Sequence, residues 1–447
     1  MKKTDIVVLG GSAAGLTAAI TAQRHHPDKR VLLLRKEKQV PIPCGIPYIF
    51  GTLDLPEKNL IPDSVLAANK VELRVCEVLS IHHARHEIET TNGLVKYDRL
   101  ILATGSTPIN PSIPGTNLPG VFTIEKDFVH LATLQKELET ARDIVVIGGG
   151  FIGIEFADEI NKRAGLNVTI AELTTHCLSL SYDPEFCVEM EKHLRSRGIT
   201  VRTSSKVEAI LGDGRVSGVK LEEGTTLPAD LVLMGIGAKA NVALARAAGL
   251  EIGSTGGVAV DRNMRTSYTD IFACGDCAEK VSFFSGRPSS LKLASIAQLE
   301  ARIAGANVYG LRRESEGTLG VWSTAVGDLA MGTAGLTESK AKHEGYEVVC
   351  ATVETPNRHP GCMPGNAQLK VKLVFERHSQ VLLGGQVRGN SSVGEVVNTI
   401  AACAQKRMTA ENIVMFQLGT HPALTASPIT YPLINAAEIA ACEMSPN

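Results

Sequence analysis

The feature that most constrains this chain is one supersecondary pattern that occurs twice. Ile6-Val7-Val8-Leu9 leads into Gly10-Gly11-Ser12-Ala13-Ala14-Gly15, and Ile144-Val145-Val146-Ile147 leads into Gly148-Gly149-Gly150-Phe151-Ile152-Gly153. Each reads as a short apolar strand, a glycine-rich turn and a helix, and each is followed by a second apolar run, 31–34 and 168–171. Four-residue runs without polar alternation are parallel strands buried on both faces. Two β-α-β units, at the chain start and near its middle, predict an α/β fold with two Rossmann-like dinucleotide-binding domains.

A glycine turn lets backbone approach a pyrophosphate, and the helix that follows turns its unpaired amides and dipole toward it. The second turn fills G-x-G-x-x-G with Gly148, Gly150 and Gly153, and Phe151 and Ile152 open the helix. Glu172 follows Gly153 by nineteen residues at the end of the next run, where an acid bonds a ribose 2′-hydroxyl. A 2′-phosphate would meet that carboxylate as a like charge, and no arginine follows within 173–178, so NADH is expected over NADPH. The first turn keeps Gly10 and Gly15 but has Ser12 at the middle glycine, with Ala13 and Ala14 behind it. Arg35 stands where the ribose acid is expected; Lys36 and Glu37 follow, and Glu37 is the candidate ribose contact.

The rest of the chain frames these sites. Its 447 residues suggest about three domains at roughly 100–200 residues each. A net charge of -2 without a long basic run gives no reason to expect nucleic acid or an anionic membrane as partner. No apolar run approaches the roughly 20 residues that span a bilayer. The opening residues run straight into the first strand without a signal peptide's apolar core, so a cytoplasmic location is expected. Segments 108–119 and 253–257 read as linkers. From about Trp322 the pattern changes: 369–375 and 381–383 read as adjacent antiparallel strands and 393–403 as an amphipathic helix, an α+β tail without a nucleotide signal. Cys274 and Cys277 have metal-like spacing, but no second pair accompanies them, so a structural role and no metal are expected.

With both nucleotide turns in place, the chain resembles the pyridine nucleotide-disulfide oxidoreductases, two-dinucleotide flavoproteins. Leu102-Ala103-Thr104-Gly105 is similar to the family's A-T-G turn, and the stretch 231–237, ending at Gly237, to the exit from its NADH domain. Thr269-Asp270-Ile271-Phe272-Ala273-Cys274-Gly275-Asp276 is similar to its second FAD motif, in which Asp276 would bond the ribityl chain. The resemblance covers essentially the whole chain and implies FAD and NADH as cofactors. It implies an FAD domain over 1–113 and 253–325, an NAD domain over 114–252 and a C-terminal α+β dimerisation domain over 326–447, hence a homodimer.

A flavin that accepts hydride must pass electrons on, and a nearby thiolate is one route. Of ten cysteines, Cys44 sits just after the second strand, in Pro41-Ile42-Pro43-Cys44-Gly45-Ile46-Pro47-Tyr48. Pro47 suits the first turn of a helix beginning near the thiol, whose N-terminus would stabilise a thiolate. No second cysteine follows at C-x-x-x-x-C spacing, since position 49 is Ile49. A single cysteine here resembles the subgroup of coenzyme A-disulfide reductases, NADH-dependent persulfide reductases, and NADH oxidases or peroxidases. Peroxidases and water-forming oxidases carry a histidine where this chain has Ala13, which favours a disulfide or persulfide substrate over oxygen. Coenzyme A persulfide, coenzyme A disulfide and polysulfide are the candidates. Coenzyme A-disulfide reductases also present tyrosines from the partner's tail, where this chain reads Gly361-Cys362-Met363-Pro364-Gly365-Asn366.

Gly419-Thr420-His421-Pro422 resembles the H-P-T segment of disulfide-type relatives, whose histidine acts across the dimer as acid–base, oriented by a glutamate five residues on. Ala426 occupies that position here; His421 is a candidate acid–base without its usual partner, and Tyr431 a second donor. An NADH oxidase and an NADH-dependent reductase of an electron-carrier protein remain the alternative readings.

Overall fold

The computed structural model describes residues 4–445. The chain forms two compact units, each assembled from separated segments: Met1–Ser112, Pro119–Ala141 and Ile236–Thr318 in the first, and Ile113–Leu118, Arg142–Gly235 and Leu319–Asn447 in the second.

In the first unit the parallel strands lie in the order Ile271–Ala273, Arg99–Leu102, Ile6–Leu9, Val31–Arg35, Glu72–Val75. Ile6, Val7, Val8, Leu32 and Leu33 are wholly buried, as runs without polar alternation require. From Ile6–Leu9 the chain crosses to Val31–Arg35 on one side, while Arg99–Leu102 lies on the other. The carboxyl ends of Ile6–Leu9 and Arg99–Leu102 therefore flank the crevice where open α/β sheets take their ligands. Helices Ala13–His25 and Ala294–Asn307 pack closely because their shared face is built of small residues. A Cβ at Gly305 would lie 2.6 Å from the Ala18 carbonyl oxygen.

In the second unit, Thr200–Arg202, Asn167–Ala171, Asp143–Ile147 and Leu231–Met234 run parallel side by side, with Phe151–Asn161 following the glycine turn. The tail is a five-stranded antiparallel sheet, ordered Val321–Val326, Leu329–Gly335, Leu382–Gly389, Gln368–Glu376, Val348–Pro356. Helices Val393–Gln405 and Pro432–Met444 pack on it. The strand pair and helix expected from the sequence are there, each somewhat longer. Lys372 joins the tail to the nucleotide-binding part of this unit, its Nζ lying 3.0, 2.6 and 2.7 Å from Asp183, Glu185 and Glu338. Burial disfavours the ammonium, but the carboxylates outweigh it and hold the amine charged. Among the described residues no helix is long and apolar enough to cross a membrane.

Candidate active site: two dinucleotide cradles and an exposed thiol

The two glycine turns are built alike. A Cβ on Gly15 would lie 1.9 Å from the Gly10 carbonyl oxygen, and one on Gly153 would lie 1.9 Å from that of Gly148. Glycine is needed there so that the helix can start directly against the strand's end. Gly10 and Gly148 take φ of 115° and 104°, a region that disfavours other residues. Ser12 caps the first helix in extended conformation without a side-chain hydrogen bond, and no acid lies in the first turn behind Ala13 and Ala14. Gly150 caps the second in the same way, with open space at its Cβ; Phe151 opens the helix half-buried and Ile152 is exposed. Both helix starts suit a pyrophosphate.

Around the first cradle the structure gathers distant residues. Gly275, at φ 77°, lies so close to the helix start that an added Cβ would be 2.7 Å from that of Ala14. Asp276 is thereby delivered beside the cradle. Its Oδ2 accepts from Ser106 Oγ at 2.7 Å and from Lys126 Nζ at 3.1 Å. Burial works to raise this carboxyl, but Lys126 and Ser106 prevail and hold it below the usual range. It opens on a depression also lined by Ala240, Gly257, Ser290 and Lys292. Beneath the turn, buried Lys280 bonds Glu300 at 2.9 Å, and Glu300 accepts the Gly275 amide at 2.8 Å. Thr104 and Gly105 are held by Asn241: Thr104 Oγ1 donates to its carbonyl at 2.7 Å, and its amide donates to Gly105 at 2.9 Å. Gly105 and Gly237 take positive φ, and Gly105 faces open space. A paired carboxylate in a depression, beside a helix start with no acceptor at its cap, fits a flavin dinucleotide.

Arg35, at the position where a ribose acid is expected, is held from within the protein. Its side chain is only 1% exposed and its guanidinium is engaged by protein acceptors. Nη1 and Nη2 reach the two oxygens of Asp63 at 2.7 and 2.8 Å, Nε donates to the Glu37 carbonyl at 2.8 Å, and Nη2 to that of Lys38 at 2.9 Å. The acidic position is thus a clamp. Lys36 is exposed and Glu37 half-buried.

In the second cradle Glu172 lies at the end of its strand as the spacing requires. It accepts the Gly149 amide at 2.5 Å and both the amide and hydroxyl of Thr174 at 2.7 Å. Those donors orient the carboxylate at the mouth of the turn.

Cys44 is exposed, but the helix expected at it is a pair of short 3₁₀ turns, Pro43–Gly45 and Pro47–Phe50. Pro47 has no amide hydrogen to donate backward, which interrupts the ladder and restarts it. Turns this short carry little of the dipole that a long helix would bring to the thiol. Cys274 and Cys277 are buried, with the Cys277 thiol directed at the carbonyls of Leu102 and Cys274.

In the tail, His421 is exposed and its Nδ1 accepts the Ala423 amide at 3.2 Å. An amide can only donate, so neutral His421 carries its proton on Nε2. Ala426, where disulfide-type relatives carry a glutamate, is buried. Tyr431 caps helix Pro432–Met444, half-buried, its hydroxyl pushed up by burial. Sequence reasoning missed Lys126, Lys280, Glu300 and Asp63. None carries a local motif, and Lys126 stands 150 positions from the carboxylate it pairs with.

These sites define a flavin-dependent NADH oxidoreductase, a class that the comparisons bear out. Residues 4–301 match the pyridine nucleotide-disulphide oxidoreductase pattern and 321–430 that family's dimerisation domain. The chain is 32% identical over 444 residues to the NAD(P)H coenzyme A polysulfide/persulfide reductase of Pyrococcus horikoshii, covering 98% of each. It is 28% identical over 452 residues to an NADH oxidase of Methanocaldococcus jannaschii, covering 98% of this chain and 99% of that one. The structure of an NAD-dependent persulfide reductase from A. fulgidus superposes with a TM-score of 0.91 at 28% identity, over 98% of this chain and 83% of the other. The chain belongs to the pyridine nucleotide-disulphide oxidoreductase family, with FAD and NADH as its cofactors.

Proposed function

We propose that the protein uses NADH to reduce a low-molecular-weight persulfide or disulfide that becomes covalently attached to Cys44. One observation carries this. Three described cysteines are exposed, Cys44, Cys362 and Cys442, and of these Cys44 belongs to the unit that holds the FAD cradle. Bound FAD supplies the two-electron relay between NADH and sulfur. The Cys44 thiolate attacks the sulfane sulfur of a persulfide, expelling a thiol, or one sulfur of a disulfide, forming a mixed disulfide. Two electrons and a proton then return it to thiolate and release hydrosulfide or the second thiol. The balance is RSSH + NADH + H⁺ → RSH + H₂S + NAD⁺. Coenzyme A persulfide leads as substrate, supported by the named activity of the Pyrococcus relative; polysulfide and coenzyme A disulfide are the neighbours to test against it.

In this reading Gly10, Ser12, Ala13, Ala14 and Gly15 cradle the FAD pyrophosphate, Glu37 takes its ribose, and Asp276, Thr104 and Gly105 hold the ribityl and flavin side. Gly148, Gly150, Phe151, Ile152 and Gly153 cradle NADH, with Glu172 on its ribose. The domains divide at 1–113 with 253–325, 114–252 and 326–447, and the setting is cytoplasmic. The tail pairs two copies, so that His421, donating through Nε2, and Tyr431 serve the partner's thiol. Met415, Leu424 and Ile429 are apolar tail residues left exposed in the single chain, which pairing would cover.

Cys44→Ser tests the reading. The variant should bind FAD and lose sulfur reduction by at least about a hundredfold, while oxygen consumption persists. Persulfide reduction at the wild-type rate would sink it. An NADH oxidase would instead show oxygen turnover matching sulfur turnover in the wild type, against which Ala13, in place of the oxidases' histidine, already speaks.

A further inference from the structure

The loop that carries Cys44 is fastened at both ends to one five-residue strip, 59–63. At its start, the Arg35 fork grips the Glu37 and Lys38 carbonyls and, with its other edge, Asp63. In its middle, the Ile61 amide donates to the Val40 carbonyl at 2.9 Å. At its end, the Ile42 amide donates to the Asn59 carbonyl at 2.8 Å, and Asn59 Nδ2 donates to the Ile42 carbonyl at 3.0 Å. Gly45, next to the thiol, lies against Asn59 so closely that a Cβ there would be 1.9 Å from Asn59 Oδ1. The Arg35 stem also lies under the first glycine turn, where a Cβ on Gly11 would be 2.4 Å from Arg35 Cδ. One buried side chain therefore touches both the FAD cradle and the frame that holds the thiol loop.

Resting on the Cys44 reading, we propose that Arg35 is a positioning residue for Cys44, registering the thiol loop against the FAD cradle through Asp63 and the strip 59–63. Burying a guanidinium costs several kcal/mol in desolvation, and an apolar residue of similar volume often stabilises a fold as well or better. The planar fork adds what an apolar residue lacks, bidentate and directional bonding that admits one arrangement of its acceptors. Cys44 rides on this loop, so a shift of the loop shifts the thiol with it. Displacing a reacting atom by about 1 Å can cost on the order of a hundredfold in rate, which is the scale of what such a clamp protects.

The test uses the full-length FAD-loaded protein and compares Arg35→Met, which keeps the stem against Gly11, with Arg35→Lys and Asp63→Asn. The first readout is the rate of iodoacetamide alkylation at Cys44 as a function of pH, which follows the thiolate and its surroundings without any turnover. The second is kcat and KM for coenzyme A persulfide, set against NADH–ferricyanide turnover in the same sample. Arg35→Met should shift the alkylation midpoint and lower persulfide kcat at least about tenfold more than ferricyanide turnover, with KM within about threefold. Asp63→Asn should move both readouts the same way by less, and Arg35→Lys should recover part of the loss. A wild-type alkylation profile in Arg35→Met overturns the proposal. So does a loss of both turnovers in proportion to lost FAD, which would make Arg35 a cofactor or fold residue. If Arg35→Met does not fold, a wild-type profile in Asp63→Asn overturns it equally. Should Cys44→Ser keep persulfide turnover, the function proposed above falls, while the alkylation profiles still decide whether Arg35 positions this thiol.

Discussion

Glu155 offers a quantitative check on the nucleotide-binding helix Phe151–Asn161. Its Oε1 accepts the Thr324 hydroxyl at 2.7 Å, so the first strand of the tail sheet reaches this helix inside the second unit. Burial pushes the carboxyl up from 4.5 to about 7; the Thr324 hydrogen bond opposes the shift, and the charge of Glu159 adds to it. The folded state therefore binds this proton more tightly than the unfolded chain. The resulting stability is fully present below about pH 4.5, is lost as pH rises through about 7, and is absent above. At 1.36 kcal/mol per unit the swing is about 3 kcal/mol, an upper figure because the side chain keeps some solvent contact. Glu155→Gln stays neutral and can still accept from Thr324, so it should erase the slope and stabilise the helix by up to about 3 kcal/mol at pH 8. In a chain of two units a global unfolding energy is poorly defined, so the measurement is native-state hydrogen exchange at the helix amides, corrected for intrinsic rates. Infrared difference titration of wild type against Glu155→Gln should place the carboxyl midpoint near 7. A midpoint in the ordinary glutamate range, or the same pH slope in the variant, would refute the burial argument. Thr324→Val, which removes the opposing hydrogen bond, should move the midpoint further up.

Two other outcomes follow from the geometry. Steady-state assays should show NADH preferred over NADPH by at least about tenfold in kcat/KM, a difference of about 1.4 kcal/mol, and Glu172→Gln should narrow the gap; equal efficiency in the wild type would remove Glu172 from the ribose. Ile429, 84% exposed, should be covered in the dimer, so Ile429→Asp should shift sedimentation toward monomer and depress persulfide turnover together; a fully active monomer would dissociate the tail from the site.

The nucleotide cradles are legible in the chain because their requirements are local. A strand without polar alternation, a glycine with no room for a Cβ, a helix start and an acid nineteen residues on all lie within one β-α-β unit, so spacing alone predicts their contacts. The tail strands and helix are legible for the same reason of periodicity. At Cys44 the local prediction was right about the prolines and wrong about the helix. Pro43 and Pro47 each start a turn, but a missing amide at Pro47 keeps the two 3₁₀ turns from fusing.

What only the tertiary structure decided is which side chains meet across crossovers. Arg35 stands where spacing places a ribose acid, and only the fold shows that its partner is Asp63, brought to it by the strip that lines the thiol loop. Asp276 meets Lys126 and Ser106, Glu300 meets Lys280, and Glu155 gains its proton affinity from burial beside Thr324. Periodicity and motif spacing report which way a residue faces within its own element. Burial and Coulomb energy depend on what the neighbouring element places opposite, and in a sheet with crossover connections that neighbour stands far away in the chain.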